Sequence, residues 1–459
     1  MEQIERQNSF IEGRILAPLV KFALPVLLAL FLQSMYGAVD LLVVGRFGTP
    51  ADVSAVSTGS HIMMTLTNLV SSLAMGATIL LGRLIGEGNG HKGGQTVGAC
   101  VVLFALIGAA MTLLIVAGAT GIARIMQAPA GAFDLTVAYV RICGAGTLVI
   151  IAYNLIGSVF RGIGDSATPL ITVAIACACN IAGDLLLVAA LHMGAAGAAI
   201  ATVAAQAVSV AISLMLIRKK RLPFRLERAH IRFNREVVGQ VVGLGLPIAL
   251  QDLLVGVSFL VIQAIVNSLG VVPSAGVGVA EKVCGFIMLV PSSFSQAMAA
   301  FVAQNAGANR YDRAVKALRY GITVSFLIAI VMFYLAFFHG DLLAGLFSGD
   351  ARVVAAAADY LKSYGIDFLL TPVFFCFIGF YNGIGMTRFV MLQGIVSAFC
   401  VRVPVSWLMS RRTPVSLFHI GLATPFSSSL QIVLCLLFMA YLRKKAVIPS
   451  LRDRSGPRR

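Results

Sequence analysis

Long apolar segments, each followed by a short polar connection, repeat along the whole chain. The segments run for about 20–27 residues, which as α-helices is enough to span the roughly 30 Å hydrocarbon core of a bilayer. They are continuous, whereas a membrane β-barrel shows shorter segments in which apolar and polar residues alternate. The pattern predicts an all-α integral membrane protein with twelve transmembrane helices, at residues 18–44, 56–82, 94–118, 135–160, 168–190, 194–217, 240–267, 276–303, 315–338, 354–382, 387–410 and 417–442.

The two halves of the chain resemble each other. Leu24-Pro25 recurs as Leu246-Pro247, and Phe160-Arg-Gly-Ile-Gly164 recurs as Tyr381-Asn-Gly-Ile-Gly385 at nearly the same spacing. Each half holds an even number of spans, so both halves have the same orientation, and we predict two pseudo-symmetric six-helix bundles. Because proline removes a helical hydrogen bond, Pro25 and Pro247 are predicted hinges.

Basic residues concentrate in the linker between the two halves and in the C-terminal tail. The chain has 35 Lys and Arg against 19 Asp and Glu, a net charge of +16, but no aromatic residues interleave with the basic clusters to stack on bases. The charge therefore indicates cytoplasmic loops and cytoplasmic termini, and we expect no nucleic-acid partner. The predicted parts are an N-terminal bundle (1–217), a basic linker (218–237), a C-terminal bundle (238–442) and a basic tail (443–459).

Composition agrees with a membrane protein. Hydrophobic residues make up 59% of the chain and charged residues 12%, against about 25% charged in soluble domains. The mean hydropathy is +0.92. The eight cysteines lie in apolar segments without CxxC spacing and are expected to be small buried hydrophobes, without a disulfide or metal role. We expect a monomer in contact with membrane lipids.

A pair of polar residues, Asn180 and Asp184, interrupts the fifth apolar segment. Four residues apart on a helix, they share one face. An aspartate at membrane depth costs about 2.5–3.5 kcal/mol on insertion scales, which makes it a functional candidate. Because each helical residue advances the chain by about 1.5 Å, the topology places Asp40, Tyr139 and Thr202 at overlapping depth in the same bundle.

Two carboxylates close together in a low-dielectric interior cannot both stay ionised without a cation. We therefore predict that Asp40, Tyr139, Asn180, Asp184 and Thr202 form a cation-coupling site. The ion is either a shared proton or Na⁺, and Na⁺ would be bound by the oxygens of Asp40, Asn180, Asp184 and Thr202; no other cofactor is expected. The alternative is a structural polar cluster that ties helices together. At the spacing that relates Phe160 to Tyr381, the second-half counterparts of Asn180 and Asp184 are Val401 and Val405, so no second copy is expected.

Other polar residues inside the spans are candidates for a substrate cavity. The set expected to line the cavity of the N-terminal bundle is Gln33, Tyr36, Asn154 and Gln206. Asp252 and Asp367 in the second half would either attract a cationic substrate or form interhelical hydrogen bonds.

Three stretches carry a resemblance to a known family. The first runs from Leu24-Pro25 through Val39-Asp40-Leu-Leu-Val-Val-Gly-Arg-Phe-Gly48, the second is the turn from Phe160 to Pro169, and the third runs from Asn180-Ile-Ala-Gly-Asp184 through Gln206. All three resemble the corresponding stretches of multidrug and toxic compound extrusion (MATE) transporters. The resemblance implies a secondary active exporter in the plasma (inner) membrane that exchanges Na⁺ or H⁺ for drugs or toxic metabolites, amphipathic and often cationic, by alternating access. In the branch similar to the DNA-damage-inducible F protein, the cation-site positions match the five residues named above.

Two other functions compete with an exporter. A flippase for a lipid-linked precursor, from the same superfamily, tends to line its cavity with basic residues for pyrophosphate, whereas the polar residues inside the N-terminal spans are mainly acidic or neutral. Gly162-Ile-Gly-Asp165 matches the GxGD of intramembrane aspartyl proteases. The predicted topology places Asp165 on a cytoplasmic turn, away from Asp40, so we expect the protein not to be an enzyme.

Overall fold

The architecture is that of a computed structural model, which describes residues 10–220, 222–224 and 227–445. These residues form helices and connecting turns and contain no strand. Most of the predicted basic tail, residues 446–459, and Arg221, Arg225 and Leu226 of the linker lie outside the described part.

The first half contains seven α-helices, of which α6 continues into a π-helical turn at Leu185–Ala190. They are α1 (Leu16–Phe47), α2 (Pro50–Gly86), α3 (Gly90–Ile125), α4 (Phe133–Ala145), α5 (Thr147–Gly162), α6 (Ala167–Asp184) and α7 (Gly194–Lys219).

The second half contains ten α-helices, of which α14 continues into a π-helical turn at Ala398–Arg402. They are α8 (Arg235–Asn267), α9 (Val271–Ile287), α10 (Leu289–Gly307), α11 (Tyr311–Phe338), α12 (Gly340–Gly345), α13 (Ala351–Gly383), α14 (Thr387–Ser397), α15 (Val403–Ser410), α16 (Leu417–Gly421) and α17 (Ala423–Lys444).

The described residues contain eleven helices that are long and apolar enough to cross a membrane, or twelve spans if one bent pair counts as a single span, which agrees with the predicted number. Eleven are helical spans in the described residues, and the twelfth is a bent pair, Ala130–Ala145 and Thr147–Gly162, with an angle of 51°. The sequence predicts one uninterrupted helix there. The break falls at Gly146, where an added Cβ would lie 2.5 Å from both γ-methyl carbons of Val203. Glycine thus allows α7 to pack closely at the bend.

The chain forms two compact units. One is Leu24–Ala249; the other combines Leu250–Arg459 with Met1–Ala23, as far as these ranges are described. Both divisions fall inside helices, α1 and α8, and lie within three residues of Pro25 and Pro247. The helices continue through both prolines, each of which removes one backbone hydrogen bond. Their role as hinges stays a prediction.

Two apolar clusters surround the polar residues of the unit Leu24–Ala249. One lies around Val70, Phe104 and Leu155 and includes Phe224, so the linker between the two halves is anchored in this core. The other packs Val44 and Val188 with neighbouring alanines around the ring of Tyr139. The candidate polar site is therefore set in a dry environment, where uncompensated charge is costly.

Candidate functional site

Three helices bring the predicted polar residues together. Asp40 comes from α1, Asn180 and Asp184 come from α6, and Thr202 comes from α7. The exposed fraction is 2% for Asp40 and 0% for both Asn180 and Asp184. The four-residue spacing that predicts a shared face thus does place both α6 side chains in the interior.

Small residues let α6 and α7 approach closely at this depth. An added Cβ on Gly183 would lie 3.0 Å from the Cβ of Ala201, so the two backbones are nearly in contact beside Asp184 and Thr202. Directly after Asp184 the helix changes to the π-helical turn Leu185–Ala190. Such turns hold one extra residue and are frequent at functional sites.

The start of α7 is held by a carboxylate from α2. Asp52 Oδ1 accepts a hydrogen bond of 2.9 Å from the backbone N–H of Ala195, while Asp52 Oδ2 accepts from the Thr49 hydroxyl at 2.6 Å. Gly194 has φ of +54°, and a Cβ there would lie 2.2 Å from Asp52 Oδ1. This close contact fixes the beginning of the helix that carries Thr202.

Most polar atoms in the cluster have no protein partner. The Thr202 hydroxyl donates to Asp40 Oδ2 at 3.2 Å. Asp184 and Asn180 flank the Asp40 carboxylate, yet Asp40 Oδ1, both Asp184 oxygens and both amide atoms of Asn180 are buried without a hydrogen bond. Among the described residues, no Lys, Arg or His forms an ion pair with either aspartate. In native proteins nearly all such buried polar groups form hydrogen bonds or bind an ion. The unpartnered atoms of this cluster are therefore available to bind a ligand.

The donor set suits a hard cation or a proton. Four of the unpartnered atoms are oxygens, on Asp40, Asn180 and Asp184, and Na⁺-like hard ions prefer oxygen ligands. Within the described residues, no group of three or more His, Cys, Asp or Glu gathers that could hold a metal.

Tyr139 lies beside this cluster but bonds elsewhere. Its hydroxyl is 3.2 Å from the Ser60 hydroxyl on α2, and it interacts electrostatically with Asp40. An added Cβ on Gly59 would lie 2.2 Å from Tyr139 Cδ1, so the ring packs directly on the α2 backbone. The sequence did not single out Gly59 or Ser60, because a small-residue pair on a membrane helix carries no signal of its partner.

Two of the predicted cavity residues lie next to Thr202. The Tyr36 hydroxyl donates to the Thr202 backbone carbonyl at 3.2 Å, and Gln206 neighbours the same hydroxyl. Gln33, one turn before Tyr36, is exposed and donates from Nε2 to the Tyr153 hydroxyl at 3.1 Å. Tyr153 is a third residue that the sequence did not single out.

Asn154 differs from the other predicted cavity residues. Its Oδ1 accepts from the Ser71 hydroxyl at 2.7 Å, and its Nδ2 donates to the Ile150 carbonyl at 2.8 Å. Only 8% of the residue is exposed. Asn154 therefore joins α2 to α5 with both ends of its amide in use.

The two aspartates predicted in the second half lie in different environments. Asp252 is exposed on α8, whereas Asp367 on α13 is 1% exposed and accepts from the Thr371 hydroxyl at 3.2 Å. The Thr371 hydrogen bond lies within α13, and both predicted roles of Asp367 stay predictions.

The repeat spacing shifts by one residue within the eleventh span. Val401 and Val405, the counterparts predicted from the sequence, are half-buried, while Arg402 and Ser406 are buried. The π-helical turn Ala398–Arg402 explains the shift, since such a turn inserts one residue. The buried counterparts of Asn180 and Asp184 are therefore Arg402 and Ser406, and the second half has no acidic copy.

The Gly162-Ile-Gly-Asp165 motif forms a turn between α5 and α6. Asp165 Oδ2 lies 2.7 Å from Lys220 Nζ and 2.6 Å from the Thr168 hydroxyl. Partial burial acts to raise the pKa of Asp165, but the bonds from Lys220 and Thr168 outweigh it and hold the pKa below its ordinary value.

A protein-family model matches most of the chain. The model described as MatE matches residues 25–186 and 247–408. The two matched segments are equally long, and they begin at the two equivalent prolines, Pro25 and Pro247. The sequence repeat is thus found independently, and Asn180 pairs with Arg402 when the two segments are aligned from their first residues.

Curated relatives and solved structures agree with this match. The chain is 25% identical to the probable multidrug resistance protein YoeA of Bacillus subtilis over 94% of each chain. It is 22% identical to the multidrug export protein MepA of Staphylococcus saprophyticus, over 88% of this chain and 90% of the relative. A solved multidrug resistance MATE family transporter of the MOP superfamily, in an outward-facing conformation, has a TM-score of 0.87 at 19% identity, over 94% of this chain and 96% of that one.

Proposed function

Because the chain belongs to the MatE family of multi-pass membrane transporters, we propose that it is a secondary active multidrug exporter driven by Na⁺ or H⁺ antiport. The observation that carries the antiport is the buried pair Asp40 and Asp184, whose oxygens lack a basic partner. The relatives described as a multidrug resistance protein and a multidrug export protein support small amphipathic drugs or toxic metabolites as cargo.

The cation changes the charge balance of the unit that binds it. Without a bound cation, two carboxylates in a dry interior repel each other and lack hydration. A proton on either aspartate, or Na⁺ held by Asp40, Asn180, Asp184 and Thr202, removes most of that cost. The cation therefore favours the conformation in which these four residues converge.

This preference couples the ion gradient to export. A cation that enters from outside stabilises the conformation that releases substrate outward, and its release to the cytoplasm resets the protein. Each charge that crosses the membrane contributes about 2.3 kcal/mol per 100 mV, which shifts a two-state equilibrium substantially. Both termini would be cytoplasmic in the plasma membrane.

Tyr36 connects the cation cluster to the predicted substrate surface. Its hydroxyl donates to the Thr202 backbone carbonyl, while Gln33 on the preceding turn of α1 is exposed. A substrate lying against Gln33 and Gln206 would contact the same stretch of α1 that carries Asp40. Movement of α1 is therefore the route by which cation and substrate would compete.

The test uses purified protein in lipid vesicles loaded with a fluorescent organic cation. Efflux is measured with an inward Na⁺ gradient alone and with an H⁺ gradient alone. We expect one gradient to drive efflux, and Asp40→Asn and Asp184→Asn each to reduce it by about tenfold or more, within the range of typical coupling energies. Asp350→Asn, an exposed carboxylate in a loop, is the control that retains full efflux.

Undiminished efflux in both aspartate variants would refute the site. No gradient-driven efflux by the unmodified protein would refute the exporter and favour the flippase. A lipid-linked pyrophosphate needs cationic partners, and the unpartnered residues of this cluster are acidic or neutral.

A further inference from the structure

Arg161 lies in the last turn of α5, but its side chain folds back along the helix. Its Nη2 donates to the Ser158 hydroxyl at 2.9 Å, and a Cβ added to Gly157 would lie 3.3 Å from Nη1. The guanidinium therefore lies over the preceding turn of α5, the direction in which helical side chains lean. Its Nε is buried without a hydrogen bond.

The carboxylate that follows Arg161 in the chain does not neutralise this guanidinium. Asp165 is four residues away, but its Oδ2 binds Lys220 Nζ at 2.7 Å and accepts from the Thr168 hydroxyl at 2.6 Å. No carboxylate in the described part of the chain forms an ion pair with Arg161. Because a guanidinium stays charged in proteins, this end of α5 carries a positive charge without a negative partner.

A second hydrogen-bond donor lies on the same face of α5. Tyr153, Gly157 and Arg161 are each four residues apart, so they form one stripe along the helix. Gly157 has no side chain, which leaves room between the other two residues. The Tyr153 hydroxyl accepts a hydrogen bond from Gln33 Nε2 at 3.1 Å, so its own proton is available to a further acceptor.

These donors border the predicted substrate surface of the first half. Gln33 is exposed, and Tyr153 and Arg161 are half-buried. A planar guanidinium can donate two parallel hydrogen bonds to a carboxylate or phosphate, and a hydroxyl can donate a third. At the spacing that relates Phe160 to Tyr381, the counterpart of Arg161 is the neutral Asn382, so the second half has no copy of this charge.

We propose that Arg161 and Tyr153 form an oxyanion subsite, which binds the carboxylate of an amphipathic substrate that also carries a cationic group. The inference rests on the proposed export of amphipathic compounds and adds zwitterions to their class. The guanidinium repels a compound that has only positive charge, whereas a carboxylate on the same compound offsets that repulsion. The phosphate of a membrane lipid has the same hydrogen-bonding chemistry, and the experiment separates the two sources.

The experiment compares two dyes that differ in one negative charge. Tetramethylrhodamine carries a carboxylate beside its cationic ring system, and its methyl ester lacks that negative charge. Binding to purified protein in phosphatidylcholine nanodiscs is measured by fluorescence anisotropy. We expect Arg161→Gln to weaken binding of the acid by about tenfold or more, since a bidentate charge-assisted contact is lost. The ester should bind as tightly or more tightly, because a repulsive positive charge is removed.

Two further variants sharpen the comparison. Tyr153→Phe should weaken binding of the acid by about threefold, the effect of one hydrogen bond from a neutral donor. Arg124→Gln removes an exposed arginine at the end of α3 and should keep the affinity ratio of acid to ester. If Arg161→Gln cannot be purified, Arg161→Lys replaces it; this variant keeps the charge without the planar fork and should lose less affinity for the acid.

Three results would overturn the proposal: no binding of the acid to the unmodified protein, unchanged acid affinity in Arg161→Gln, or equal loss of acid and ester. Phosphatidylglycerol added to the nanodiscs identifies the source of the oxyanion. If it weakens acid binding in the unmodified protein but not in Arg161→Gln, a lipid phosphate occupies the subsite and the substrate assignment is wrong. Gradient-driven efflux of the ester from vesicles is measured separately, and its absence would refute the exporter while the binding ratio still tests the subsite.

Discussion

The cluster around Asp40 and Asp184 and the buried residues Asp367 and Arg402 lie in opposite halves of a duplicated chain. Both are buried, and both contain acidic oxygens without a hydrogen bond. Neither region contains an ion pair among the described residues. They differ in the nearby positive charge: the buried guanidinium of Arg402 interacts electrostatically with Asp367, whereas no basic residue is found to act on Asp40 or Asp184 in the described part of the chain.

This difference shows how a duplicated bundle can specialise without a change of fold. In the proposed antiport, the two carboxylates of the first cluster take up a mobile cation, so we expect their stability to depend on ion concentration. A buried guanidinium is a permanent positive charge, so the electrostatic field around Asp367 includes a cation that does not depend on ion concentration. At the two equivalent buried positions, the first half has Asn180 and Asp184 and the second half has Arg402 and Ser406.

The largest effect is expected when the first cluster is made like the second. Asn180→Arg would place a guanidinium beside Asp40 and Asp184 and replace the mobile cation. We expect gradient-driven efflux from vesicles to fall by about tenfold or more, with the thermal unfolding temperature retained or raised. Asn180→Gln, which keeps an amide oxygen, is the control and should retain gradient dependence. Efflux by Asn180→Arg that still follows the ion gradient would contradict the comparison.

A second difference concerns the tyrosine that each half packs beside its polar residues. Tyr139 lies on Gly59, while Ala280 takes the place of Gly59 in the second half, near Tyr360. Gly59→Ala would push its Cβ into the Tyr139 ring and should destabilise the protein by about 1–3 kcal/mol, as overpacking does. Thermal unfolding in detergent measures the loss. Gly121→Ala, at a position with no atom within 4 Å of the added Cβ, should be at least as stable as the unmodified protein.

The smallest effect is expected at the turns that connect the fourth to the fifth span and the tenth to the eleventh. The first turn contains Asp165 bound to Lys220, while the second has Met386 at the corresponding position. Asp165→Asn should lower the free energy of unfolding by about 1 kcal/mol, because the hydrogen bonds are charge-assisted but partly exposed. Asp350→Asn, in the exposed pair with Arg352, should change nothing measurable.

The Asp165 contribution has a definite pH dependence. Because the pKa in the folded protein lies below the ordinary value, stabilisation is complete above the ordinary pKa of about 3.9 and is lost as the pH falls toward the folded-state pKa. Unfolding temperatures of Asp165→Asn and the unmodified protein should therefore converge in acid. A difference that stays constant down to the lowest pH would show that the carboxylate charge is not involved.

The convergence of Asp40, Asn180, Asp184 and Thr202 can be inferred from the order of residues alone. Hydropathy places each residue at a depth, and the four-residue spacing in α6 places two of them on one face. The partners of Tyr139 and Asn154 could not be inferred. Ser60 and Ser71 are two of several hydroxyls on α2, and only the rotation of that helix determines which one meets each side chain.

The twelve apolar spans, the duplication and the isolated carboxylates follow directly from the amino-acid sequence, because they depend on transfer free energies and on periods along the chain. The break at Gly146 and the buried place of Arg402 depend instead on how the helices pack. The first is set by how closely Val203 approaches the bend. The burial of Arg402 is set by a π-helical turn that inserts one residue. Because rotation of a helix by one residue leaves the hydropathy of the segment almost unchanged, the sequence pattern does not reveal this shift.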